Sequence, residues 1–378
     1  MRLAAIDIGN DAVKGYFNGY DNQVHIPNVV AKAKENRGVI EAEKEILNGL
    51  HVELTSSALK MKNGTYKVGN LAASAAKKDE LTPEVDKADS DQPIILLLTA
   101  IAYDAVQNNP DKDGIVEATY LLSTGLPLQE VKRGLSKDYR KKLRNHQHEV
   151  KFLQTPEVGG KTVRIKFEEV IVSSEGFAAF VDLTTDQQGA IKNPELIQKP
   201  ILINDIGGLS TDSAIVNKAA VDNENSDGIK EGVSPYLDNI IARTFNEFKY
   251  PFHSRRAVVD VIVSEDPEER NHIWNKGNRV SIKHIIDDEL SSLAEEEYKH
   301  LKKLWNRVPS LRYAYLIGGG SVVLKPYLEG INEDQEQYPL RFVKPDDSVW
   351  MIARAYIKIL YTYCQKKGIE LEVASTKE

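Results

Sequence analysis

Two aspartates end short apolar stretches, and each is followed by Ile-Gly. The first is Asp7, in Ala4-Ala5-Ile6-Asp7-Ile8-Gly9-Asn10; the second is Asp205, in Leu202-Ile203-Asn204-Asp205-Ile206-Gly207-Gly208. They stand 198 positions apart in a chain of 378 residues, about half its length. A glycine-rich turn after a strand lets successive N–H groups converge on an anion, because no Cβ obstructs the approach. An aspartate just before such a turn repels phosphate directly, so its natural use is through a cation. Mg2+ suits this use: it keeps several waters and is held by one or two carboxylates together with substrate phosphates. A third segment, Leu316-Ile317-Gly318-Gly319-Gly320-Ser321, places three glycines after an apolar run, where a ligand can come close to the backbone. It lacks the G-x-G-x-x-G spacing of a dinucleotide turn. Taken singly, the first two also read as tight hairpins with surface acids, and the third as a flexible strand-to-helix turn. The echo at half the chain length favours the ligand reading. It suggests duplicated domains facing one another across a cleft, each acid-bearing turn clamping one side of a Mg-nucleotide.

The elements that must position these turns follow from pattern. Residues 3–8, 13–17 and 24–30 read as three short strands with turn punctuation at Asn18-Gly19-Tyr20-Asp21, an antiparallel meander. Residues 65–69 form a further strand, and Pro93 opens an apolar helix over 94–107. Residues 118–123 are a strand ending in Thr124-Gly125-Leu126-Pro127, followed by a basic, polar segment over 132–145. The second half starts with strands at 163–167 and 169–172, and Ser174 caps a helix of small apolar residues. Ile201–Ile206 and residues 211–216 pair as strands, 217–231 is a polar loop, and 313–317 is a strand running into the glycine triplet. Helices are predicted over 235–248, 281–305 and 347–364. Meanders followed by alternating helices and strands, twice over, predict two α/β domains with mixed sheets. The boundaries are set at residues 1–172 with 345–378 for the first and 173–344 for the second.

Composition narrows the function classes. Lys and Arg number 49 against 56 Asp and Glu, a net charge of −7. Such a chain is ill suited to gripping DNA, which needs clustered cations. The basic stretch Lys132, Arg133, Lys137, Arg140, Lys141, Lys142 and Arg144 reads as a solvated helix face. A single cysteine, Cys364, excludes an internal disulfide and any Cys-rich metal site. His146 and His148 have no third ligand nearby in sequence, so no metal centre is expected there. The run from Ile94 to Tyr103 is about half of the roughly 20 residues a membrane span needs. No signal segment precedes Asp7, and a cytoplasmic protein without membrane attachment is expected.

In their order along the chain, the three glycine segments resemble the phosphate-1, phosphate-2 and adenosine motifs of the actin superfamily of ATPases, which also holds chaperone ATPases and sugar kinases. Within it the chain is most similar to the ParM-type bacterial actins that segregate plasmids. Tyr66-Lys-Val-Gly69, Leu122-Ser-Thr-Gly-Leu-Pro127, Ser174-Glu-Gly176, Gly232-Val-Ser-Pro235 and Ala353-Arg-Ala-Tyr356 support the likeness, which runs from Leu3 to about Tyr356. The resemblance implies an actin-like fold around a nucleotide cleft.

It also implies residue roles. Asp7 and Asp205 would order Mg2+ or its waters. Gly9 and Asn10 would present the first phosphate loop, and Lys14 would touch the β- and γ-phosphates. Gly207 and Gly208 would form the second loop, with Ser210 or Thr211 as hydroxyl donors. Gly318, Gly319 and Gly320 would pass beside adenosine. Glu175 would position the attacking water, a carboxylate in line with the γ-phosphate being able to orient it or accept its proton. Each has a plainer alternative: Lys14 as a solvated strand lysine, and Glu175 as a first-turn acid favoured by the helix dipole. Asn10 and Asp11 depart from the small residues expected after the first glycine, and a second acid there is expected to point away. The implied function is an ATPase that binds ATP, or GTP in its place, with Mg2+. Such a protein polymerises head to tail into filaments and moves DNA through a DNA-binding adaptor rather than by direct contact. A small-molecule kinase on the same fold is the alternative, although no catalytic base for a second substrate is evident.

Overall fold

A computed structural model describes residues 1–34, 44–73, 75, 85–333 and 338–370. The chain divides into two compact units, residues 1–192 with 350–378 and residues 193–349. The sequence expectation set the first boundary at 172/173. The division falls later because helix Glu175–Thr184 packs on strand Thr162–Ser174 and is tied to the C-terminal helix. Asp182 near its end pairs with Lys358 at 2.7 Å and with Arg354 at 2.8 Å. All three carry buried or half-buried charge, so each needs the others to offset lost hydration.

The first unit is built on a ten-stranded sheet. Its order is Gln23–Pro27, Ala12–Phe17, Arg2–Ile8, Ile115–Leu126, Thr162–Ser174, His148–Phe152, His51–Ser56, Asn63–Val68 and Val30–Lys32, with Asp111–Lys112 paired to the long strand Ile115–Leu126. The meander at the N-terminus is antiparallel, while Arg2–Ile8 runs parallel to Ile115–Leu126, and that strand parallel to Thr162–Ser174. Helix Asp91–Asn108 starts at Ser90, whose Oγ accepts from the Gln92 N–H. Every residue from Gln92 through Ala102 is buried, as an all-round apolar helix requires.

The second unit carries a sheet of six strands with the path Ala220–Val221, Thr211–Asn217, Ile201–Ile206, Ala314–Ile317 and Leu340–Phe342, and Asp227–Ile229 paired to Thr211–Asn217. Helices Val233–Phe248, Arg255–Val263, Lys283–Arg307 and Gly318–Ile331 complete it, with a separate hairpin of His272–Asn275 and Asn278–Ser281. The sheet in each unit mixes parallel and antiparallel pairs, as the pattern predicted. Among the described residues no helix is long and apolar enough to cross a membrane.

Three local expectations change. The strand expected over 24–30 breaks at Pro27, and Val30–Lys32 pairs instead with Asn63–Val68 at the far edge of the sheet. The two strands expected at 163–167 and 169–172 are one strand, Thr162–Ser174, with a bulge between Phe167 and Glu169 that shifts its register on Ile115–Leu126. The polar loop 217–231 contains the short strands Ala220–Val221 and Asp227–Ile229.

Candidate functional site

In the first unit, Asp7 and Lys14 are direct register partners on antiparallel strands, and Ile8 faces Val13. The turn between them closes with Gly9 N–H donating to Ala12 carbonyl oxygen at 3.0 Å. Asn28, 2% exposed, fixes the turn from behind: its Nδ2 donates to the Gly9 carbonyl at 2.7 Å, and its own Oδ1 accepts from Gln92 Nε2 at 2.8 Å. Lys14 Nζ lies 3.9 Å from Asp7 Oδ2. Burial pushes the Asp7 carboxyl up from its ordinary range. Lys14 opposes the shift, Glu175 adds to it, and Lys87 opposes it. Asn10 is half-buried and Asp11 exposed.

Glu175 opens helix Glu175–Thr184, where Ser174 Oγ accepts from the Phe177 N–H at 3.4 Å, the cap expected from sequence. Its carboxylate accepts a hydrogen bond from Lys87 Nζ at 2.7 Å, and both side chains are nearly enclosed. Lys87 was not among the residues singled out from sequence. It lies between acids in Asp86-Lys87-Ala88-Asp89, a context without a chemical signature.

In the second unit, Asp205 faces Asp212 and Ile206 faces Thr211, and the turn closes with Gly207 N–H donating to the Ser210 carbonyl at 2.9 Å. The hairpin therefore repeats the first one's geometry, except that the register partner of the acid is a second acid. Like charges directly opposite repel, and a bound cation would relieve that repulsion. The turn rests on helix Val233–Phe248, whose Val233 and Ser234 N–H groups donate to the carbonyls of Gly207 and Gly208 at 3.1 and 2.7 Å. Gly232 is required at this crossing, because a Cβ there would lie 2.5 Å from the Gly208 carbonyl. Gly318 has φ of +82° and begins helix Gly318–Ile331; a Cβ on it would lie 2.3 Å from Asp205 Oδ1 and 2.5 Å from Ile206 carbonyl oxygen. Gly320 packs as tightly, with Ile206 Cγ2 at 2.5 Å from its would-be Cβ, whereas a Cβ on Gly319 would meet nothing within 4 Å. The triplet thus has two structural glycines around one that is open. Ser210 is half-buried, and its carbonyl closes the turn. The Thr211 hydroxyl is buried, within hydrogen-bond distance of Glu297 and of the Glu231 carbonyl, so its single hydrogen is engaged inside the fold.

Under this second turn lies a buried polar chain. Glu297, 0% exposed, accepts from Thr211 Oγ1 and from Asn204 Nδ2; Ser213 donates to Asn204 Oδ1 and meets His300 Nε2 at 3.0 Å. Burial pushes the Glu297 carboxyl up to about 7, against the lowering effect of its two hydrogen bonds. The sequence did carry a signal for it: Glu297 falls on the apolar stripe Leu290, Leu293, Ala294, Leu301, Leu304 of its helix. The folded state binds this proton more tightly than the unfolded chain. The group's stabilisation is therefore fully present below about 4.5 and is lost as pH rises through about 7. Unfolding free energies from urea titrations should fall by on the order of 2–3 kcal/mol between pH 5 and 8. Glu297→Gln should flatten that slope; an equal slope in the variant would assign the dependence elsewhere.

The sequence-predicted residues fall into two sets. Asp7, Gly9, Asn10, Lys14 and Glu175 belong to the first unit; Asp205, Gly207, Gly208, Ser210 and Gly318 to Gly320 belong to the second. Each unit offers a carboxylate beside a backbone turn, and among the described residues no group of three or more His, Cys, Asp or Glu could hold a metal alone. Such a donor set fits Mg2+ held with waters and phosphate oxygens better than a metal caged by protein. The basic run is the solvated helix face expected from sequence, with Lys137, Arg140, Lys141 and Arg144 exposed. Helix Leu135–Arg144 buries Tyr139 and Leu143, while Arg140 and Arg144 pair with Glu169 at 2.7 and 3.6 Å.

Residues 5–177 match the family model for the N-terminal domain of actin-like proteins, and residues 200–347 match that for the Alp7A C-terminal domain. Among solved structures, Bacillus thuringiensis ParM with ATP superposes with a TM-score of 0.72 at 21% identity, over 97% of this chain and 99% of that one. The actin-like protein Alp7A gives a TM-score of 0.77 at 17% identity, covering 97% of both chains. A 15-stranded ParM filament from Clostridium botulinum gives 0.67 at 21% identity, over 95% of this chain and 98% of that one. No curated protein matches the chain. The likeness to solved structures establishes an actin-like α/β fold, as the sequence motifs implied.

Proposed function

The chain belongs to the actin-like protein family, and from that premise we propose that it is an ATPase that assembles into filaments when it binds Mg·ATP and loses them on hydrolysis. The observation that carries this is the repeated hairpin: an acid, then a glycine turn closed by one backbone hydrogen bond, at Asp7-Ile8-Gly9 and again at Asp205-Ile206-Gly207. Each turn, taken in its own unit, would take phosphate oxygens of Mg·ATP, with its aspartate, Asp7 or Asp205, ordering the cation's waters. Bound Mg2+ would supply charge neutralisation between the phosphates. Lys14 would contact the outer phosphates, Gly207 and Gly208 would present N–H groups, and Gly319 would leave room for the adenosine. Glu175 would orient the attacking water. Support comes from similar proteins: ParM has been solved with ATP, with AMPPNP and with ADP, and a ParM filament of 15 strands has been solved whole. The net charge of −7 suits a filament that moves DNA through an adaptor carrying the positive surface.

Phosphate release, measured with and without Mg2+, tests the enzymatic half. Turnover that needs Mg2+ and rises with protein concentration as filaments form is expected. Turnover that appears only on addition of a sugar or a small acid would show a kinase instead. Glu175→Ala should slow release at least tenfold while leaving ATP-dependent pelleting intact, giving persistent filaments. Normal turnover in that variant would remove Glu175 from the mechanism.

A further inference from the structure

Glu175, the carboxylate assigned to the attacking water, does not stand free. Lys87 Nζ donates to its Oε1 at 2.7 Å, and the two side chains are only 10% and 13% exposed. Both ends of this pair are held from behind. Lys87 lies in the short 3-10 turn Lys87–Asp89, whose first two N–H groups, from Lys87 and Ala88, donate to the buried Glu130 carboxylate at 2.9 Å each. Lys142 Nζ donates to the Ala88 carbonyl at 2.7 Å, and Arg133 fixes Asp86 at 2.6 Å. Glu175 sits on the first turn of a capped helix anchored through Asp182 to Arg354 and Lys358. An ammonium on a braced turn faces a carboxylate on a braced helix.

A carboxylate engaged in this way is a poor partner for water, because one of its oxygens is committed to the Lys87 ammonium. The pair also belongs to the cluster around Asp7, where Glu175 and Lys87 act on the Asp7 carboxyl in opposite directions and Lys14 lies 3.9 Å away. Two acids and two cations cancel there. An incoming triphosphate adds negative charge to that balanced group, and its terminal oxygens compete directly with Glu175 for the ammonium.

Resting on the nucleotide reading above, we propose that Lys87 senses the terminal phosphate: it holds Glu175 in an ion pair when that phosphate is absent, and transfers to a phosphate oxygen when a triphosphate binds, releasing Glu175 to accept from water. Lys87 is thus a positioning residue, acting on the reaction through Glu175. The exchange breaks no covalent bond and needs no further reactant. It couples the availability of the catalytic carboxylate to the presence of the group to be cleaved, and restores the pair once that group has left.

The test is the affinity of a non-hydrolysable ATP analogue against that of ADP, both with Mg2+, at protein concentrations where light scattering stays at baseline. Binding the analogue must break the Lys87–Glu175 pair, whereas binding ADP need not. Glu175→Gln keeps the shape and removes the charge that competes. It should tighten the analogue about tenfold, the size of one part-buried charge-assisted hydrogen bond, and leave ADP within about twofold. Lys87→Gln should weaken the analogue by about tenfold with ADP again unchanged. The double variant should resemble Lys87→Gln alone, since without the ammonium nothing remains to be released. An Glu175→Gln protein whose analogue-to-ADP ratio equals that of the unaltered protein overturns the sensor while leaving the nucleotide reading standing. Failure of the unaltered protein to bind either nucleotide overturns both.

Discussion

Gly318→Ala should destabilise the second unit by at least about 3 kcal/mol and lower its thermal midpoint by roughly 10 °C. Two effects add. The backbone at Gly318 has φ of +82°, a conformation in which a Cβ is strained. That Cβ would also sit 2.3 Å from Asp205 Oδ1 and 2.5 Å from the Ile206 carbonyl, and the carbonyl belongs to a central strand that cannot yield. The neighbouring substitution is the control. Gly319→Ala adds the same atom where nothing lies within 4 Å, so folding should be unaffected while the room left for adenosine shrinks. Circular dichroism melts and ATP affinity separate the two. A Gly319 variant that folds and binds ATP as well as the unaltered protein would show that the ligand does not approach the triplet.

Asp7→Asn should reduce Mg-dependent phosphate release by about 10²–10³-fold, the usual loss when a group stabilising charge in the transition state is removed. Folding should survive and even improve slightly. The Asp7 carboxylate is 6% exposed and its ionised form is disfavoured by burial, so the amide removes a desolvated charge at nearly constant volume. A variant more stable than the parent yet nearly inactive is the mark of a residue kept for chemistry. Turnover within a fewfold of the parent, with unchanged Mg2+ dependence, would exclude Asp7 from the cation site.

What the sequence made legible follows the range of the interactions involved. The acid-and-glycine hairpins could be read because strand, turn and glycine are contiguous, and the backbone geometry of Asp7-Ile8-Gly9 and Asp205-Ile206-Gly207 depends on little else. The Ser174 cap and the apolar helix around residues 94–107 were equally local. Pro27 and Asn28 are both poor strand residues, but the apolar Val24, Ile26, Val29 and Val30 around them masked the break; Asn28 bonds Gly9 and Gln92, the latter 64 positions away. Lys87 was invisible because its partner Glu175 is 88 positions distant, and only the fold brings them to 2.7 Å. The two hairpins differ in a way that identity of motif concealed, since Asp7 faces Lys14 whereas Asp205 faces Asp212. That contrast emerged only from the strand register.

In the proposed cycle ATP drives this chain to assemble and hydrolysis undoes the assembly. Right-angle light scattering with parallel sedimentation, after addition of Mg2+ and limiting ATP, addresses it directly. Scattering should rise, hold a plateau and then decay in step with phosphate release. A non-hydrolysable analogue should give a rise without decay, and ADP alone little signal. Steady baseline scattering with ATP across a wide range of protein concentration, with no pelleted protein, would contradict it.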